Sequence, residues 1–109
     1  MSNLPPITHL QFLVLEALTG GEQAGRDVRA MLWAHAVKSS APAFYQMMGR
    51  LEDAGFVEGW YDQKLVGGQN VKERRYRLTR RGERALADTR AFYLTRLVPS
   101  RAVKKAALA

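Results

Sequence analysis

The chain has 109 residues, 47% hydrophobic and 25% charged, with no cysteine. That is one domain's length, with a single modest core, and it excludes disulfides and thiolate metal sites. The net charge of +7 is lopsided: residues 1–60 carry four basic and six acidic side chains, net −2, while residues 61–109 carry thirteen and four, net +9. After an extended Leu4-Pro5-Pro6 lead, Thr8 is a plausible N-cap for a helix over roughly 9–19. Leu10, Phe12, Leu13, Val14, Leu15 and Leu18 make that helix apolar nearly all round, so it belongs at the centre of the domain. Gly20-Gly21 ends it. A second helix is expected over roughly 24–36, packing through Val28, Met31 and Leu32.

The third helix is better marked. Ser39 and Ser40 offer caps, and Pro42 sits where a first turn tolerates it. Phe44, Met47, Met48, Leu51 and Ala54 follow at three- and four-residue spacing, and Gly55 is a natural terminator. The outward face presents Ala43, Tyr45, Gln46, Gly49 and Arg50. Next come two strand candidates, VEGWYDQK (57–64) and VKERRYRL (71–78). Gly67-Gly68 between them is a two-residue hairpin signal, since both glycines accept positive φ. Centring the turn there sets Val57 against Leu78, Glu58 against Arg77 and Trp60 against Arg75: an apolar pair, an ion pair and a cation–π pair. It also sets Asp62 opposite Glu73, which is unfavourable. A last helix is expected from Thr79 to about Val98, where Pro99 stops it. Its stripe of Ala85, Leu86, Thr89, Phe92, Tyr93 and Leu97 has no obvious cover in one subunit and so points to a second copy, the alternative being that the helix folds back on its own core. The architecture is mainly α with a small β-hairpin, an α+β winged helix-turn-helix. It divides into a winged helix-turn-helix domain, 1–78, and a C-terminal dimerisation helix with a basic tail, 79–109.

Catalysis lacks its parts. His9 and His35 stand in no metal-ligand spacing, the carboxylates are scattered, and Gly67-Gly68 joins strand to strand, unlike a phosphate loop. A non-enzyme without a cofactor is expected. The run Leu10 to Leu18 is too short to span a bilayer, and MSNLPPITHL has no basic stretch ahead of an apolar core. A cytoplasmic protein with no membrane partner follows. A one-sided basic surface suggests nucleic acid instead. The stretch VKERRYRLTRRGERAL, residues 71–86, concentrates six Arg and one Lys against two Glu. A helix fits the major groove, where Gln46 can pair with adenine and Ala43 can touch a thymine methyl. Ser39, Ser40 and Tyr45 share that surface, while Arg50 lies a turn further along and suits phosphate. For Tyr45, a ring supporting the helix is an equal reading. Lys72 and Arg74 lie on one face of the second wing strand, and Arg75 and Arg77 on the other. All suit phosphates or the minor groove; the alternative is that the stretch's arginines are solvated and paired with Glu73 and Glu83. Arg80 and Arg81 occupy the first turn of the last helix, where the macrodipole disfavours cations unless an anion is near.

SSAPAFYQMMGRLEDAGFVEGWYDQK followed by KERRYRLTRRGERAL resembles the PadR-like transcriptional regulators. Tyr45, Arg50-Leu51-Glu52, Gly55, Tyr76, Leu78, Thr79 and Gly82 fall in place over roughly residues 7–90. The resemblance implies a homodimeric winged-helix binder of double-stranded DNA, usually a repressor, paired through its C-terminal helices. Some relatives take small aromatic effectors between subunits. Trp33, Trp60, Phe92 and Tyr93 are either such a lining or plain core and interface. Two positions depart from the pattern: Gly-Tyr becomes Gly25-Arg26, and Pro-Gly becomes Ala41-Pro42. A winged-helix module for a protein partner and a charge-driven, non-specific nucleic-acid binder are the alternatives.

Overall fold

Thr8 opens the first helix, α1 (His9–Ala17), by a reciprocal cap: its hydroxyl accepts from the Gln11 amide while the Gln11 side chain accepts from the Thr8 amide. The computed structural model describes residues 6–35 and 37–97, the last two by backbone alone. The expected Leu4 and Pro5 lead, the stop at Val98 and Pro99, and the basic tail lie outside the described residues. Val14, Leu15 and Leu18 of the first helical stretch are buried, and each fully buried Leu contributes about 2 kcal/mol.

A two-residue strand, β1 (Gln23–Ala24), leads into α2 (Gly25–Ala34). Val28 and Leu32, four apart on one face, are buried, but Met31 is not. It sits at the edge of that stripe, so the expectation that it packs inward is corrected. In α3 (Ala41–Asp53) the Ser40 hydroxyl caps the Ala43 amide at 3.2 Å, with Pro42 in the first turn. Phe44, Met47, Met48 and Leu51 form the buried face, and Gly55, at φ 80°, ends the helix as expected.

The hairpin pairs β2 (Val57–Val66) with β3 (Gln69–Leu78) around Gly67 and Gly68, at φ 59° and 80°. Its register runs from Val57↔Leu78 to Val66↔Gln69, as the glycine pair requires. The strand β1 adds to β3 through Gln23↔Tyr76 and Ala24↔Arg75, giving an antiparallel sheet in the order β1-β3-β2. Two residues carry no periodicity, so β1 had no sequence signal. With three helices and a hairpin in this order, the fold is a winged helix-turn-helix.

The last helix, α4 (Arg80–Leu97), is held at its start by Thr79. The Thr79 hydroxyl accepts from the Gly82 amide at 3.0 Å and donates to the Gly55 carbonyl at 2.6 Å. Any side chain at 82 would collide with the Phe56 carbonyl, so glycine lets this helix rest on the turn after α3. The helix then runs back along α1. Ala85 and Leu86 enter the common core, and Thr89 is fully buried with its hydroxyl on the Ala85 carbonyl at 2.7 Å. Arg90 donates two parallel hydrogen bonds to Glu16, at 2.6 and 2.7 Å, and Tyr93 meets Phe12 edge-on at 5.7 Å. The stripe therefore has cover in its own subunit. Leu86 and Thr89, expected at a dimer interface, are corrected to core positions because α1 and the sheet already enclose them.

Candidate nucleic-acid interface

Amphipathic spacing turns one face of α3 outward. Ala43, Tyr45, Gln46 and Arg50 are exposed there, and Arg50 has no ion-pair partner among the described residues. The Tyr45 ring is partly supported: it meets Phe44 edge-on at 5.0 Å and rests close to Gly25, where a Cβ would come within 2.9 Å of it. Both readings of Tyr45 thus keep a place. Ser40 remains exposed while capping the helix. Ser39 differs from expectation: its carbonyl receives Arg29 at 2.9 and 3.1 Å, and its hydroxyl oxygen is buried without a hydrogen-bond partner.

The wing's cations divide by strand face, because residues opposite one another share a face. On the side of α3, Arg74 meets Glu52 at 2.6 Å and lies over the rings of Tyr61 and Tyr76, at 4.7 and 5.4 Å. Burial disfavours its charge, but hydrogen bonds to Tyr76 and Glu52 outweigh that and raise its pKa. Burial in turn pushes the Tyr76 phenol up, against the pull of Arg74. Gly59 makes the room, since a Cβ there would strike the Glu52 carboxylate. This glycine inside a strand was the one sequence sign of a close approach. Lys72 shares the face and has no ion-pair partner among the described residues. With Tyr45, Gly49, Glu52, Tyr61, Arg74 and Tyr76 it lines a groove of about 480 Å³ between α3 and the hairpin.

On the opposite face the conflict of Asp62 with Glu73 is resolved by cations from elsewhere. Glu73 is 8% exposed and receives Lys64 at 2.9 Å, Arg26 at 3.4 Å and Arg75 at 3.6 Å. The hydrogen bond from Lys64, against the cost of burial, and the nearby arginines hold its carboxyl below the ordinary glutamate range. Arg75 also meets Glu22 at 3.3 Å. Arg77 pairs with Glu58 as expected, at 2.9 Å, but it is Arg77, not Arg75, that lies over Trp60, at 5.4 Å. Arg81 lies over Phe56 at 5.5 Å, beside Gly55 and thus at the negative end of the α3 dipole. Arg74 and Arg75 thus have carboxylate partners within the chain, the pairing with Glu73 that stood as the alternative to phosphate contact being met by Arg75, while Arg81 is exposed beside Phe56. Arg80 is exposed.

No protein-family model matches the sequence, and no curated protein does. Solved structures do. A PadR family transcription regulator from Clostridium difficile superposes with a TM-score of 0.68 at 16% identity, over 91% of this chain and 94% of that one. One from Eggerthella lenta gives 0.65 at 26% identity, over 84% and 82%. Bacillus subtilis PadR, solved in complex with operator DNA, gives 0.62 at 23% identity over 84% of this chain. The fold is PadR-like. The chain spans about half of the Bacillus subtilis protein, 49% of its length.

Within the PadR-like frame the departure at Gly25-Arg26 has a local use, because Arg26 is one of the cations on Glu73. Within one subunit the four aromatic residues considered for an effector pocket between subunits lie on three elements. Trp33 lies on α2 between Arg29 and Lys38, and Trp60 lies under Arg77 on the wing. Phe92 and Tyr93 are neighbours on α4 at 5.6 Å. Among the described residues no group of three or more His, Asp or Glu side chains could hold a metal ion, and no helix is long and apolar enough to cross a membrane.

Proposed function

We propose that the chain is a sequence-specific regulator of transcription that binds double-stranded DNA as a homodimer and acts as a repressor. The carrying observation is the outward face of α3, with Ala43, Tyr45 and Gln46 exposed beside a basic groove that ends in Lys72. Small and amide side chains suit base edges in a major groove, and Arg50, Lys72 and Arg80 suit the flanking phosphates. The operator complex of Bacillus subtilis PadR supports this reading.

Residues 1–78, with Arg80 at the start of α4, form the DNA-reading part, and α4 beyond it leads the pairing of subunits. Since Leu86 and Thr89 are enclosed, pairing falls to the far half of α4: Phe92, Tyr93 and the 68% exposed Leu94. The side chain of Leu97 and the tail lie outside the described residues. On α1 and α2, a groove of about 200 Å³ lined by Leu13, Glu16, Ala17, Met31, Leu32 and His35 offers a receiving surface for the partner. A two-fold dimer places those helices about 34 Å apart, one DNA turn. A hydroxyl-radical footprint on the DNA flanking the protein's own gene should therefore show two protected patches one turn apart. A single patch, or none, would contradict the dimeric reading.

A further inference from the structure

The wing outruns the contacts that hold its base. Its strands have ten residues each, about 33 Å of extended chain, and burial stops at Glu73. Beyond it, the seven residues from Leu65 to Val71 carry no ionised side chain. Yet it carries exposed apolar side chains: Leu65 is 75% exposed and Val66 60%. Water-facing leucine and valine gain nothing in the free protein. The register pairs each of them with an amide, Leu65 with Asn70 and Val66 with Gln69. Lys72 stands just behind.

We propose that the wing tip is an apolar wedge for the DNA minor groove. Leu65 enters beside a half-site and opens a base step while Val66, on the ribbon's other face, lies against the groove wall; Asn70 and Gln69 donate to the groove floor, and Lys72, on the Leu65 face, holds the adjoining phosphate. This rests on the DNA-binding reading above and adds to it a distorted DNA and a second source of specificity. The minor groove is about 6 Å wide and 7.5 Å deep, and its A·T pairs offer only acceptors, which amide donors match. Apolar side chains placed between base steps unstack them and kink the duplex, most easily at pyrimidine–purine steps. An arginine-tipped wing would read a narrow groove without prying it open, and this tip has no arginine. A wedge on one face and an apolar flank on the other, each opposite an amide and backed by a cation, fit the groove's apolar sugar walls, acceptor floor and phosphate rims better than they fit a protein surface.

The test uses the duplex flanking the protein's own gene, labelled at both ends for energy transfer. The wild type should bring the ends closer. Leu65→Gln with Val66→Thr should bind about tenfold more weakly, leave the duplex as straight as free DNA, and keep the slope of affinity against salt, because no phosphate contact is lost. Both positions face solvent, so the variant's thermal unfolding should match the wild type's. Replacing G·C by inosine·C under the tip removes the minor-groove amine and leaves the major groove unchanged, and should tighten wild-type binding several-fold. The proposal is overturned if the wild type binds without bending, if the variant bends DNA equally, or if inosine has no effect. It is also overturned if the double substitution instead changes the sedimentation of the free protein, since the tip is then a contact between copies. Failure of the wild type to bind any duplex would overturn the DNA-binding reading itself, whereas binding without bending overturns only the wedge.

Discussion

Lys72 and Arg74 lie two residues apart on one face of β3, yet replacing each by alanine should do opposite things. Lys72 has no ion-pair partner and lines the groove beside α3. Lys72→Ala should leave folding unchanged and flatten the slope of log affinity against log salt by about 0.9, one phosphate contact. Arg74 is joined to Glu52, with side chains 23% and 27% exposed. Exposed pairs contribute about 0–1 kcal/mol, and breaking fully buried ones costs about 3–5 kcal/mol. A pair three-quarters buried should fall between them, near 1.5 kcal/mol. Loss of the contacts with Tyr61 and Tyr76 adds about 0.5 kcal/mol each. Arg74→Ala should therefore destabilise the fold by about 2–3 kcal/mol, lowering Tm by roughly 10 °C or more in a chain this size. Its salt slope should stay within error of the wild type at a temperature where both are folded. Thermal unfolding by circular dichroism and fluorescence anisotropy on one duplex at several salt concentrations measure both. An Arg74→Ala protein with unchanged Tm and a flattened slope would refute the division of labour between these two side chains.

Gln46→Ala should lose about 1–3 kcal/mol of discrimination at one base pair of the site and little elsewhere; an equal loss on every operator variant would make Gln46 a backbone contact. Gly82→Ala gains about 1 kcal/mol of helix propensity but sets a methyl against the Phe56 carbonyl, an overpacking that costs about 1–3 kcal/mol and needs the helix to shift. A lowered Tm is expected, and a raised one would mean that the helix start is not seated there. Glu73 has its folded pKa depressed by Lys64 and the neighbouring arginines. Its contribution is present above the ordinary glutamate pKa, about 4.3, and is lost as pH falls through the lower folded value. Glu73→Gln should thus be less stable than the wild type at neutral pH and lose less on acidification below about pH 4, by urea unfolding across pH; parallel curves would contradict the assignment.

The hairpin was legible because two adjacent glycines admit one turn, and one turn sets every cross-strand pair. The outward face of α3 was equally legible, since 3.6-residue periodicity names the buried side and leaves Tyr45, Gln46 and Arg50 outside. What was hidden depended on partners remote in sequence. Arg26 comes from α2 to neutralise Glu73, and Glu52 comes from α3 to take Arg74, so a basic stretch that looked aimed at a polyanion is partly paired at home. The misreading of α4 has the same root: Glu16 and Arg90 stand 74 residues apart, and nothing local to either announces the pair. The pairing of β1 with β3 likewise joins Gln23 to Tyr76.

The central claim is that α3 reads a base sequence, and the most direct measurement compares two duplexes. One carries the DNA flanking the protein's own gene; the other is its scrambled counterpart of equal length and composition. Affinities for both should be taken at near-physiological salt with competitor DNA present. Sequence-specific reading predicts a preference of at least about 10³-fold for the first duplex. Equal affinities that both fall steeply with salt would instead make this a charge-driven binder, and would contradict the account.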